Sequence, residues 1–227
     1  MATKNEIIYD IREGLSKYSD DSNIDDRYII HKVNTVRNKL LTQSLNNFKG
    51  IKGKNVLQSF CTKLEQVDSS TCGEFSCSTI LRSELKMPET LQLISTQTIT
   101  RIKPVDILSK KISFINLDRM EFIDGTSFPN SLYGFLGVDN YMYIYSPKGD
   151  YQNMSCIEIT GIFANPMELE NYAKCCDCPT SNICFDPEID NYPVFDYMIN
   201  DIVSIVTQQI LTKENIPLDR ENNSDDD

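Results

Sequence analysis

The sequence predicts an α+β fold: an N-terminal helical pair and a long C-terminal helix forming a bundle, with a central antiparallel β-rich domain. Three observations predict it. Apolar residues recur at spacings of three and four near both ends of the chain, the period falls toward two between about residues 51 and 163, and turn residues cut that central stretch into short runs. The expected division is 1–50 for the N-terminal helices, 51–163 for the β-rich domain and 164–213 for C-terminal helices packing on the first pair. An acidic tail over 214–227 has too few apolar residues to order itself and is expected to be flexible.

In the first helix, expected over residues 3–18, Ile7, Ile8, Ile11, Leu15 and Tyr18 share one face. A polar loop over 19–23 ends it. The strongest helical signal then runs from Asp25 or Asp26 to about residue 46, with Ile29, Val33, Val36, Leu40 and Leu41 as its apolar stripe and Tyr28 and Leu45 at the edge. Arg27, His31, Lys32, Lys39 and Gln43 lie largely off that stripe, so one face packs and the other is cationic. Strand candidates follow at 56–64, 74–81, 91–95, 98–102, 111–115, 119–122, 132–136, 141–145 and 155–162. Gly137-Val138-Asp139-Asn140 between two of them reads as a hairpin turn, placing Tyr141, Tyr143 and Tyr145 on one face as sheet packing. Asn165-Pro166 is an N-cap followed by proline at the first helical position, giving a short helix over 166–174. The last helix is expected from about 194 to 213, on Met198, Ile202, Ile205, Val206 and Ile210. Strand pairing is non-local, so these patterns do not choose between a barrel, a sandwich and an open sheet.

The 227 residues are 40% hydrophobic and 24% charged, the balance of a soluble globular chain. A net charge of −11 excludes a protein that coats nucleic acid through a generally basic surface. No run approaches the roughly 18 apolar residues of a membrane span, and the first residues do not resemble a secretory signal, so the expected compartment is a cytoplasm, as synthesised. Charge is uneven: residues 1–110 carry a net of +3 and residues 111–227 a net of −14. From Arg27 to Lys63 there are eight cationic residues and no acid. Arg27, His31, Lys32, Arg37 and Lys39 are therefore the candidate partner-binding residues. The alternative is a solvated face whose charges compensate within one subunit.

Eight cysteines, Cys61, Cys72, Cys77, Cys156, Cys175, Cys176, Cys178 and Cys184, admit two further readings. A reduced cytosolic chain of this length can keep them as small buried apolar thiols. Alternatively Cys175-x-x-Cys178 with Cys184 forms part of a zinc site, and the chain would be a zinc-stabilised cytosolic interaction module. A fourth ligand is missing, since Cys176 points elsewhere in most conformations and the only histidine is His31. The expectation is accordingly no metal and no cofactor. Catalysis is not expected either: Gly50-Ile51-Lys52-Gly53-Lys54 lacks the P-loop bracket, Gly134-Phe135-Leu136-Gly137 is a strand end, and no nucleophile-base signature is present. What remains is an assembly component. If the cationic helix of one copy met the acidic C-terminal half of the next, that heterologous contact would close into a ring.

Several phrases carry a resemblance. They are Ile7-Ile8-Tyr9-Asp10-Ile11-Arg12, Ile24-Asp25-Asp26-Arg27-Tyr28-Ile29, Arg37-Asn38-Lys39-Leu40-Leu41, Ile159-Thr160-Gly161-Ile162-Phe163, and Asp190-Asn191-Tyr192-Pro193-Val194-Phe195-Asp196-Tyr197-Met198. They resemble virion structural proteins of short-tailed bacteriophages, in particular the head-to-tail connector (portal adaptor) ring proteins of crAss-like phages. The resemblance implies a virion neck protein, assembled in the host cytoplasm, that docks as a ring of twelve copies below the portal protein. It would extend the DNA channel and offer a platform to further tail or ring proteins. Genome DNA would pass without sequence-specific binding, and no membrane would be involved. In this setting Arg27, Lys32, Arg37 and Lys39 belong to the subunit or portal contact.

Overall fold

The computed structural model describes residues 2–18, 24–47, 53–67, 80–94, 98–105, 112–116, 119, 132–146, 154–172 and 185–213. They form two compact units, one holding the three α-helices and the other seven strands.

In the helical unit, α1 (Lys4–Ser16) starts at an N-cap that its sequence dictates. The Thr3 hydroxyl accepts from the Glu6 amide at 3.3 Å, and the Glu6 carboxylate accepts from the Thr3 amide at 2.8 Å, so two amides of the open helix end are satisfied reciprocally. Its buried face is Ile7, Ile11 and Leu15. The second helix, α2 (Asp26–Asn47), buries Ile29, Val33, Val36, Leu41 and Leu45. The last, α3 (Ile199–Lys213), packs against both with Ile202, Val206 and Ile210 buried. A Cβ at Gly14 would stand 3.3 Å from the Thr207 side chain, so glycine lets α1 approach α3 closely. The helix expected from about residue 194 becomes α-helical only at Ile199, after a 3₁₀ turn over Asp196–Met198. Upstream of that turn the chain is held in another way: Thr3 bridges Asn191, and the Tyr192 amide donates to the Ala2 carbonyl at 2.9 Å.

The second unit is a closed barrel of β1 (Gln58–Val67), β2 (Ile80–Ser83), β3 (Ile99–Pro104), β4 (Ile112–Phe114), β5 (Leu132–Leu136), β6 (Met142–Tyr145) and β7 (Cys156–Gly161). Around it the order is β1-β2-β6-β5-β4-β3-β7. Phe60, Leu81, Ile102, Ile112, Leu132, Met142, Ile144, Ile157 and Ile159 gather in one apolar cluster. All seven strands contribute to it, which only the interior of a barrel permits. Residues of opposite parity, Ile80, Phe135, Tyr143 and Tyr145, form a second cluster on the outer side, with the Phe135 and Tyr143 rings stacked at 5.4 Å. The three tyrosines of β6 and its approach thus pack on one face of the sheet. The short helix after Asn165 is a 3₁₀ segment, Pro166–Tyr172, in the barrel unit, where Tyr172 meets the Phe60 ring at 4.7 Å.

This architecture corrects the expected fold class. The β-rich part is a closed seven-stranded barrel on which the fold is centred, not an antiparallel domain appended to a helical bundle, and β4 runs parallel to β5. Closure depends on β1, whose ten residues serve two neighbours in succession: Gln58–Lys63 pair with β7 and Leu64–Val67 with β2. The β1–β7 pair joins segments about a hundred residues apart, and a local period of two carries no information about such a partner. Among the strand candidates, 91–94 is irregular, anchored by the Leu91 amide to the Ile162 carbonyl at 3.0 Å. Most of 74–81 and 119–122 lies outside the described residues, as do the acidic tail and Cys72, Cys77, Cys175, Cys176, Cys178 and Cys184.

Candidate functional site

The spacing of α2 puts Arg27, His31, Thr35, Lys39 and Gln43, each four residues from the last, in a solvent-exposed row. After Asp26 the helix contains no acid. The row is fixed at its start by Asp25, whose carboxylate accepts from the Arg27 amide at 3.0 Å, and in its middle by the Thr35 hydroxyl, which donates to the His31 carbonyl at 2.9 Å. Neither Arg27 nor Lys39 has a carboxylate partner among the described residues. Lys32 is half-buried, its ammonium 5.6 Å from the Tyr28 ring. Lys213 approaches the same tyrosine, 5.1 Å from its ring and 3.3 Å from its hydroxyl, and so ties the end of α3 to the start of α2.

Arg37 is placed differently from its four companions. It is 0% exposed. Its Nε donates to the Pro193 carbonyl at 2.8 Å, Nη1 donates to the Asn38 side-chain oxygen at 3.0 Å, and the guanidinium lies 5.8 Å from the Tyr192 ring. Burial lowers its pKa from the usual guanidinium value, opposed by the neighbouring phenol. Burial likewise raises the Tyr192 phenol well above its ordinary 10.0, opposed by Arg37, and that hydroxyl donates to the Asn34 side chain. Arg37 therefore braces α2 against the segment entering α3. The sequence holds the signal for this: Ile29, Val33, Arg37, Leu41 and Leu45 are spaced by four, and the arginine occupies a position in a row otherwise apolar and buried.

A second face was not singled out by sequence reasoning. On α1, directly opposite the buried Ile7, Ile11 and Leu15, Glu6, Tyr9, Asp10 and Glu13 are exposed together, with Tyr9 67% exposed. The signal was available as the complement of the apolar stripe. On this helix, Arg12 turns instead toward α2, pairing with Asp26 at 2.7 Å.

On the barrel, Arg82 of β2 lies beside Glu65 of β1 in direct register and bonds its carboxylate, with Nε at 3.1 Å, and the guanidinium sits 4.5 Å from the Tyr141 ring. That hydrogen bond raises the Arg82 pKa. The Tyr143 hydroxyl donates to Asp139 at 2.7 Å. Arg82 and Glu65 are thus satisfied across neighbouring strands, and Asp139 within the β5–β6 hairpin. Cys61 is buried and Cys156 half-buried. Among the described residues no group of three or more His, Cys, Asp or Glu converges as a metal site, and no helix is long and apolar enough to cross a membrane.

A closed barrel joined in one chain to a helical unit with opposite charge on two of its helix faces has the features of a structural subunit. Comparison with known sequences gives the particular kind. The model of the family described as phage tail ring protein 2 matches residues 6–227. Ring protein 2 of Bacteroides phage crAss001 is 28% identical over 228 residues, covering 99% of this chain and 97% of the relative. The chain belongs to this ring protein family of crAss-like phages.

Proposed function

We propose that the protein is a head-to-tail connector of the virion, forming a ring below the portal protein that extends the DNA channel and serves as the docking platform for tail components. The observation that carries this reading is the family match across nearly the whole chain, together with a relative named for a ring. The protein acts by shape and not by catalysis. Twelve copies are expected in the ring, matching a portal of that order, and assembly takes place in the host cytoplasm before the ring resides in the virion neck. Arg27, His31, Lys32 and Lys39 form the partner-binding face; Arg37 holds that face in position from inside. Genome DNA passes without sequence-specific contact, in keeping with a net charge of −11, because strong phosphate binding would resist its movement.

The test is co-expression with the portal protein encoded in the same genome, followed by affinity capture of the portal and electron microscopy of the captured particles. Ring density of twelvefold order on one end of the portal is the expected result, and Arg27→Glu with Lys39→Glu lowers its occupancy. Portals captured bare, at concentrations where both proteins are abundant, would refute the connector role. Full occupancy by the reversed variant would remove Arg27 and Lys39 from the interface.

A further inference from the structure

The helical unit displays two exposed polar rows on different helices, one with basic and one with acidic side chains. One is Arg27, His31 and Lys39 on α2; the other is Glu6, Asp10 and Glu13 on α1, surrounding the exposed Tyr9. The acids are only lightly engaged. Glu6 caps its own helix, Glu13 lies 3.5 Å from Lys17, and Asp10 has no ion pair among the described residues. An exposed tyrosine rimmed by polar groups is the composition of an interface anchor, and a ring face beside carboxylates attracts a guanidinium or ammonium twice over.

We infer that the Glu6–Tyr9–Asp10–Glu13 face of α1 in one copy docks on the Arg27–His31–Lys39 face of α2 in the next. This rests on the ring reading above and names its contact surface. It also moves the acidic partner, which the charge count alone put in the C-terminal half, to the first helix.

Three features favour a second copy as the occupant. The rows are of opposite sign, and both lie on one unit whose α1 and α2 are tied by the Arg12–Asp26 pair. A face and its complement carried once each by every copy generate a head-to-tail repeat, which closes into a ring when the rotation allows. A portal or a nucleic acid could satisfy one row, but would leave the other unmatched in every copy. The lengths are compatible as well: the acidic row, about 10 Å along its axis, fits within the basic row of about 18 Å. Side by side, every cation then lies within roughly one Debye length of a carboxylate.

The experiment uses two full-length variants, Asp10→Lys with Glu13→Lys and Arg27→Glu with Lys39→Glu. Association is followed by sedimentation velocity and native mass spectrometry in low salt, and folding by circular dichroism. Each variant alone brings like charges face to face, so its association midpoint rises by roughly a hundredfold over wild type. Mixed one to one, the two variants restore opposite charges at every contact of an alternating ring, and assembly returns. Either variant assembling alone like wild type, or a mixture of two folded variants that stays apart, overturns the pairing while leaving the ring reading intact. Wild type that never associates, with or without the portal protein, overturns both.

Discussion

Gly161 offers a sharp test of barrel closure. It ends β7 between two partners, in register with Gln58 of β1 on one side and Ile99 of β3 on the other, where the β3 register shifts. A Cβ there would stand 2.9 Å from the Thr98 carbonyl oxygen, 3.4 Å from the Ile99 Cα and 3.4 Å from the Phe163 ring. Carbon–oxygen contacts settle at about 3.3 Å or more, so one backbone must retreat by several tenths of an ångström. The obstructing carbonyl also accepts from the Ile162 amide at 3.1 Å and cannot retreat without stretching that bond. Overpacking of this kind costs about 1–3 kcal/mol, and the lower chain entropy of unfolded alanine returns about 0.4–1 kcal/mol. Gly161→Ala should therefore lose about 1–2 kcal/mol, lowering Tm by roughly 2–8 °C in a chain of this size. Urea and thermal unfolding followed by far-ultraviolet circular dichroism and tyrosine fluorescence would measure it. Gly14→Ala is the control. Its Cβ meets only the Thr207 side chain, at 3.3 Å, and a helix interior gains up to about 1 kcal/mol from alanine, so it should stay within about 0.5 kcal/mol of wild type or exceed it. A Gly161→Ala protein as stable as wild type would show that the seam between β1, β7 and β3 is not packed as described.

Two other substitutions probe particular contacts. Because burial raises the Tyr192 phenol above its ordinary 10.0, the folded protein holds that proton where the unfolded chain has released it; the stabilisation is complete below pH 10 and declines as pH rises beyond it. Tyr192→Phe should thus be less stable at neutral pH, having lost the bond to Asn34, with the deficit narrowing by roughly 1 kcal/mol between pH 10 and pH 11; parallel pH profiles in urea titrations would contradict this. Asn140 has φ of 65° in the hairpin between β5 and β6, so Asn140→Gly should be neutral and Asn140→Val should cost about 1–2 kcal/mol in the same denaturation assay.

Local features were legible wherever one short stretch of chain decides the outcome. Ile7, Ile11 and Leu15 announced α1, Asp26 opened α2, and Gly137 to Asn140 marked the turn between β5 and β6, with β5 over the five residues expected. Barrel closure was not legible, because it depends on which strands meet: Phe60 opposite Ile159 and Ile112 beside Leu132 are matters of long-range register. The candidate face was half legible. Exposure of Arg27, His31 and Lys39 follows from their places off the apolar stripe, whereas Arg37 belongs to the same run of cations and differs only in what the Pro193 carbonyl and the Tyr192 ring provide from the far end of the chain. Composition sees a charge; only the folded chain says which side of the helix wall it stands on.

The order of the units along the chain bears on how the protein emerges from the ribosome. The partner that covers Ile7, Ile11 and Leu15 begins at Ile199, after every strand of the barrel has been made. At bacterial translation speeds the gap between the end of α2 and the start of α3 lasts roughly 10–30 s. During that interval the barrel has all its strands and can close, while the first two helices wait with oily sides uncovered. Synthesis therefore finishes the β-structure before it supplies the last helix, and nascent chains are most prone to stray association in the seconds before Ile202, Val206 and Ile210 arrive.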